Sequence, residues 1–185
     1  MYLIVGLGNP EEDYSGTRHN MGFDTINKIA EQYEISINKK KFKGLYGTGS
    51  IEQQKVILLK PQTYMNLSGE SIREAVDFYK IEEEKIIIIY DDIDIEPGII
   101  KVRKTGGPGT HNGMKSVVQN LKSKNFTRVR VGIGKPEHKG DLINYVIGYI
   151  NKEDKEILDK ATTKAKEAVI EVLKSGVDSA MNKFN

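Results

Sequence analysis

The chain opens on a short apolar run, Tyr2 to Leu7, stopped by Gly8-Asn9-Pro10, which reads as a buried first strand. A polar loop rich in turn residues follows, through Tyr14, Ser15 and Gly16 to Asn20. From Gly22 the apolar residues Phe23, Ile26, Ile29, Ala30 and Tyr33 recur at helical spacing, predicting a helix over about 22 to 34. Alternating, glycine-containing segments around 44 to 51 and 54 to 59 read as a hairpin. A second helix is predicted over about 67 to 80, with Ile72, Ala75, Val76 and Tyr79 on one face and Asn66 placed to cap it. Ile86 to Tyr90 is another buried strand, and it delivers Asp91 at its carboxyl end. Residues 99–103 and 127–133 alternate like strands, with a helix at about 113 to 122 between them. Asn151 is placed to cap a final helix that runs to Lys174, carries a stripe from Ile157 to Leu173 and stops at Gly176. Strands interleaved with helices predict a single α/β domain over 1–185, with a twisted mixed sheet covered by helices on both faces.

Composition narrows the chemistry. The 185 residues suffice for a core of ordinary size. The absence of Cys excludes a disulfide framework, a thiolate metal site and a cysteine nucleophile. The longest apolar run falls far short of the ~20 residues of a membrane span. The first ten residues, MYLIVGLGNP, carry neither a basic leader nor a small-residue cleavage site, so a soluble cytoplasmic protein is expected. The formal charge of +2 conceals a strong polarity along the chain. Residues 70–98 hold ten acids and three bases, whereas residues 99–139 hold ten bases and the single acid Glu137. The second stretch has the composition of a surface that faces a polyanion, phosphate above all. Lys39, Lys40, Lys41 and Lys43 form a smaller basic knot.

Several constellations offer chemistry. Gly6-Leu7-Gly8 follows a strand but lacks the third glycine of a dinucleotide loop, with Glu11 in its place. It reads better as a tight turn that exposes Asn9. His19 and His111 each precede an Asn in a glycine-containing loop. Their spacing matches no zinc signature, and imidazole titrates near neutrality, so a general base is the simpler role. No metal or other cofactor is expected. If the strand continues past Tyr90, a period of two sets Asp91 with Ile93 and Ile95 on the apolar face, and Asp92, Asp94 and Glu96 on the other. An inward carboxylate needs a partner, and an imidazole is a natural one.

Together these residues resemble bacterial peptidyl-tRNA hydrolase. Five blocks carry the likeness in family order: Gly6 to Pro10; Thr17 to Gly22; Lys60-Pro61 through Tyr64-Met65-Asn66 to Ser68-Gly69; Asp91 to Asp94 with Pro97-Gly98; and His111-Asn112-Gly113 followed by Arg128 to Gly134. One departure is visible. Thr110 stands where the family usually has a second glycine, with Pro108 two residues earlier, and both stiffen that loop. The resemblance implies hydrolysis of the ester between a peptide and the 3′ end of tRNA, by a monomer. It implies His19 as general base, Asp91 as the carboxylate that orients it, and Asn9 beside them. It further implies Asn66, Asn112 and His111 against the peptide and the tRNA end, Met65 and Tyr14 as lining residues, and Lys101, Arg103, Lys104 and Arg130 against tRNA phosphates.

The implied chemistry suits the residues. A ribose hydroxyl is a better leaving group than an amine, so one base on water plus donors for the oxyanion suffice without an acyl-enzyme. Two rival readings remain at this level: a non-catalytic RNA-binding protein of the same fold, and a nucleoside-processing hydrolase or phosphorylase of similar architecture.

Overall fold

The computed structural model describes all 185 residues. In chain order the elements are β1 (Tyr2–Gly6), α1 (Met21–Gln32), β2 (Lys39–Lys41), β3 (Gly44–Ile51), β4 (Gln54–Pro61), α2 (Ser68–Tyr79), β5 (Ile86–Asp92), β6 (Ile100–Arg103), α3 (Asn112–Leu121), β7 (Thr127–Gly132), α4 (Leu142–Ile147), α5 (Lys152–Ser175) and α6 (Val177–Phe184). The strands form one mixed sheet in the order β2-β3-β4-β1-β5-β7-β6. The central neighbours β4, β1, β5 and β7 run parallel, and antiparallel pairs close the two sides.

Strict alternation along the strands builds two cores. On one face Ile4, Leu58, Ile87, Ile89, Val129 and Val131 pack against Ile26 and Ile29 of α1 and the alanine-rich stripe of α5. On the other, Leu3, Val5, Ile57, Leu59, Ile86, Ile88 and Tyr90 meet Ile72 and Ala75 of α2 and Met114 and Val117 of α3. Near-continuous apolar strands are what a sheet buried on both faces requires.

The first layer is pulled close to the sheet at two glycines. A side chain on Gly6 would lie 2.1 Å from the Gly22 carbonyl oxygen, and one on Gly22 would lie 2.4 Å from the Leu7 nitrogen and 2.5 Å from the Ile89 oxygen. Backbones in such contact admit only glycine. The approach sets the residues just ahead of Gly22, His19 among them, over the carboxyl ends of β1 and β5.

Three sequence expectations need correction. Asn66 is not the cap of α2: it lies in a 3-10 turn, Met65–Leu67, and makes no cap hydrogen bond. The amino end of α2 is instead held from α3, where Ser116 Oγ accepts from Gly69 N at 2.9 Å. The strand that ends in Asp92 does not run on through Glu96, because Asp92 Oδ1 accepts from Asp94 N at 2.8 Å and turns the chain. The lysine knot is solvated surface, on the edge strand β2, where exposed lysines discourage further pairing. Finally, α5 does start on an Asn151 cap, with Oδ1 accepting from Asp154 N at 2.8 Å, but it is not the last helix. Gly176 turns the chain into α6, after which the Asn185 side chain pairs with both the N–H and the C=O of Val102 on β6, at 2.7 and 2.9 Å.

Candidate active site

A cleft of about 290 Å³ opens at the carboxyl ends of the parallel strands, lined by Asn9, His19, Met65, Tyr90, Asp91, Asp92, His111 and Asn112 together with α4. Asp91 lies at its floor. On β5 it shares the face of Ile87 and Ile89, but at the end of the strand the apolar filling gives way to imidazole. Its side chain is 2 % exposed, and each carboxylate oxygen meets a different ring. Oδ2 accepts from His19 Nδ1 at 2.9 Å, and Oδ1 accepts from His111 Nε2 at 3.0 Å.

The two histidines arrive from opposite layers. His19 belongs to the turn before α1, and His111 is the N-cap of α3. His111 Nδ1 accepts the Met114 N–H at 3.2 Å, so its proton is on Nε2 and points at Asp91. His19 donates from Nδ1, which leaves its Nε2 lone pair without a protein partner. Burial by itself lowers the basicity of His19; the charge of Asp91 and the hydrogen bond to it prevail and hold the pKa above the ordinary 6.5. Burial pushes the Asp91 carboxyl up, and the two imidazoles outweigh it and hold the group far below the usual carboxylate range.

His19, Asp91 and His111 present nitrogen and oxygen atoms within 4.8 Å of one another. The sequence spacing of the histidines alone did not reveal this third group. The three atoms are nonetheless engaged with one another as donors and acceptor. A metal at His111 Nε2 would require its proton on Nδ1, facing the Met114 N–H. The arrangement therefore suits proton transfer and not ligation.

Of the other sequence candidates, Asn9 is set by its backbone. Its N–H donates to Asn20 Oδ1 at 2.7 Å, and its C=O accepts from Asn20 Nδ2 at 3.0 Å. The two His-Asn pairs thus differ: Asn20 is a buried clamp, whereas Asn112 is exposed at the start of α3 and lines the cleft. Met65 lines the cleft, while Asn66 is exposed next to it in the chain and Tyr14 is half-buried, and neither lines the cleft.

Lys101, Arg103 and Arg130 lie on the β6–β7 edge, with Lys101 directly opposite Arg130 and Arg103 opposite Arg128. Lys104 follows immediately and lies 3.7 Å from Asp178. Arg130 Nε is 3.3 Å from Asp92 Oδ2, next in the chain to Asp91. Arg128 departs from the expectation of a surface block. It is 1 % exposed and folds under the loop before α3, donating to the carbonyls of Gly106, Gly107 and Lys124 with its guanidinium over the Phe126 ring. Arg128→Met is expected to cost about 1–3 kcal/mol by stranding these acceptors. Urea unfolding checks this, and an unchanged midpoint would show that the loop does not depend on it.

Sequence reasoning missed α4. Leu142, Ile143, Val146 and Ile147 line the cleft, and Ile143 is 72 % exposed. The signal was present as apolar residues at i, i+1, i+4 and i+5 between Gly140 and Gly148, but six residues are too few for periodicity to stand out.

The α/β fold carries a cleft in which a buried carboxylate lies between two imidazoles, with no serine or cysteine among the lining residues, the fold and site of a class of hydrolases. The family model for peptidyl-tRNA hydrolase matches residues 3–185. A peptidyl-tRNA hydrolase from Clostridium novyi is 54 % identical over 185 residues, covering 100 % of this chain and 98 % of the relative. The crystal structure of peptidyl-tRNA hydrolase from Acinetobacter baumannii superposes with a TM-score of 0.94 at 40 % identity, covering 100 % of this chain and 94 % of that one. The chain belongs to the peptidyl-tRNA hydrolase family. A purine nucleoside phosphorylase from Toxoplasma gondii, at 9 % identity and a TM-score of 0.51 over 91 % of both chains, shares the fold alone.

Proposed function

We propose that His19 is the general base of peptidyl-tRNA hydrolysis in this chain, with Asp91 orienting it. The chain hydrolyses peptidyl-tRNA, freeing the tRNA from its peptide; the binding-only reading finds no support. The observation that carries the catalytic assignment is the 2.9 Å contact from His19 Nδ1 to a buried carboxylate, which leaves Nε2 as the open nitrogen of a cleft residue.

In this reading Nε2 takes a proton from water as the oxygen attacks the ester carbonyl carbon. The negative charge passes to the carbonyl oxygen, where the side-chain amides of Asn9 and Asn112 can donate. Collapse breaks the bond to the ribose oxygen, which leaves with the proton held by His19. The products are a peptide acid and a tRNA with a free 3′-terminal hydroxyl. Asn66, exposed beside Met65 and outside the cleft lining, is left out of this step. An aminoacyl ester lacks the peptide amide and leaves the site's amides unpaired, a physical basis for preferring peptidyl esters. No helix is long and apolar enough to cross a membrane.

The β6–β7 edge supplies the phosphate contacts. Replacing Lys101 or Arg103 by Ala is expected to weaken binding of all tRNAs alike and to reduce the salt slope by about 0.7–0.9 per charge removed. Filter binding across a salt series reads this. An unchanged slope would place the tRNA elsewhere.

A further inference from the structure

His111 has no nitrogen left for substrate. Its Nδ1 holds the amino end of α3 through Met114 N, and its Nε2–H is directed at Asp91. The ring is packed edge-on against Tyr90, with centroids 5.2 Å apart, and lies 5.2 Å from the His19 ring at a tilt of 47°. Its one chemical handle on the reaction is the Asp91 oxygen that His19 does not use.

We propose that His111 is a positioning residue that sets the basicity of His19 through Asp91, by drawing carboxylate charge toward the oxygen it holds and away from the oxygen His19 holds. A carboxylate that accepts a second hydrogen bond interacts less strongly with its first partner. His111 thus restrains a base that Asp91 alone would make too readily protonated. The idea rests on the reading of His19 as the base.

The other charged groups around His19 are engaged elsewhere. Arg18, in the same turn, lies over Tyr145 of α4 and pairs with Asp154 of α5 at 3.3 Å. On β5 Asp92 pairs with Arg130 of β7, and beyond it Asp94 pairs with Lys135 at 2.9 Å. Arg128 of β7 is occupied by the loop carbonyls, leaving Asp91 as the charge hydrogen-bonded to the His19 ring.

The test is the His19 ring titration followed by NMR, in a chain with only three histidines. His111→Phe keeps an aromatic ring against Tyr90 and removes the donor to Asp91. It is expected to raise the His19 midpoint by about one pH unit, and the acid limb of the rate profile should move with it. His111→Asn keeps a helix cap but is too short to reach Asp91, so it separates the cap from the tuning and secures a folded variant. A smaller rise is expected there, since water can replace the lost donor. An unchanged or lowered midpoint in either folded variant overturns the proposal. A raised midpoint that the rate profile does not follow upholds the tuning and removes His19 as the base.

Discussion

His19→Ala is expected to lower kcat by about 10²–10⁴-fold, the range a positioned general base supplies, with little change in tRNA affinity. The ring hydrogen-bonds to Asp91 alone, and His19 lines the cleft, whereas the phosphate contacts are proposed on the β6–β7 edge. Release of an N-blocked amino acid from its tRNA gives the rate, and filter binding gives the affinity. A variant that binds and still turns over normally would transfer the role of base to another group. A fall in affinity with kcat preserved would make His19 a binding residue.

Asp91→Asn is expected to be nearly as damaging, for a reason the hydrogen-bond pattern dictates. His111 donates from Nε2 because its Nδ1 takes the Met114 N–H, so the new amide must turn its oxygen toward His111. Its NH₂ then faces His19 Nδ1, which has to become an acceptor. The His19 proton moves to Nε2, the position that must be empty to accept one from water. A loss of about 10²-fold or more in kcat is therefore expected without a matching loss of binding, and the His19 midpoint should fall once the carboxylate charge is gone. Equal activity would remove Asp91 from the mechanism.

The same pair links activity and stability to pH with opposite signs. His19 is held above its ordinary value, so its pairing stabilises the fold fully below about 6.5, and that contribution is lost as the pH rises through its folded value. With His19 as the proposed base, catalysis is expected to need the neutral ring and to grow over the window in which this stabilisation fades. Asp91 is held low, so its contribution is present above about 4 and is lost only as strong acid protonates it in the fold.

Much of this was legible in the chain because parallel strands buried on both faces leave long apolar runs, and α1 and α5 leave clear periodic stripes. β2, α4 and α6 escaped for lack of length: three, six and eight residues offer little pattern, and three consecutive lysines have none. At the site, alternation along β5 was enough to turn Asp91 inward and to call for an imidazole. That two imidazoles would share it was hidden, since His19 and His111 meet only because both layers end at the same edge of the sheet. Charge counting likewise put Arg128 with Arg130. The two are on the same face of β7, but the loop at Gly106 and Gly107 covers only the first.

The amide of Asn185 bears on what the basic edge can recruit. It fills the outward N–H and C=O of Val102, the groups a foreign strand would engage first to extend the sheet beyond β6. With that position occupied by its own chain, β6 is closed to strand addition, and Lys101 and Arg103 stay available to a phosphate backbone instead of being covered by another polypeptide.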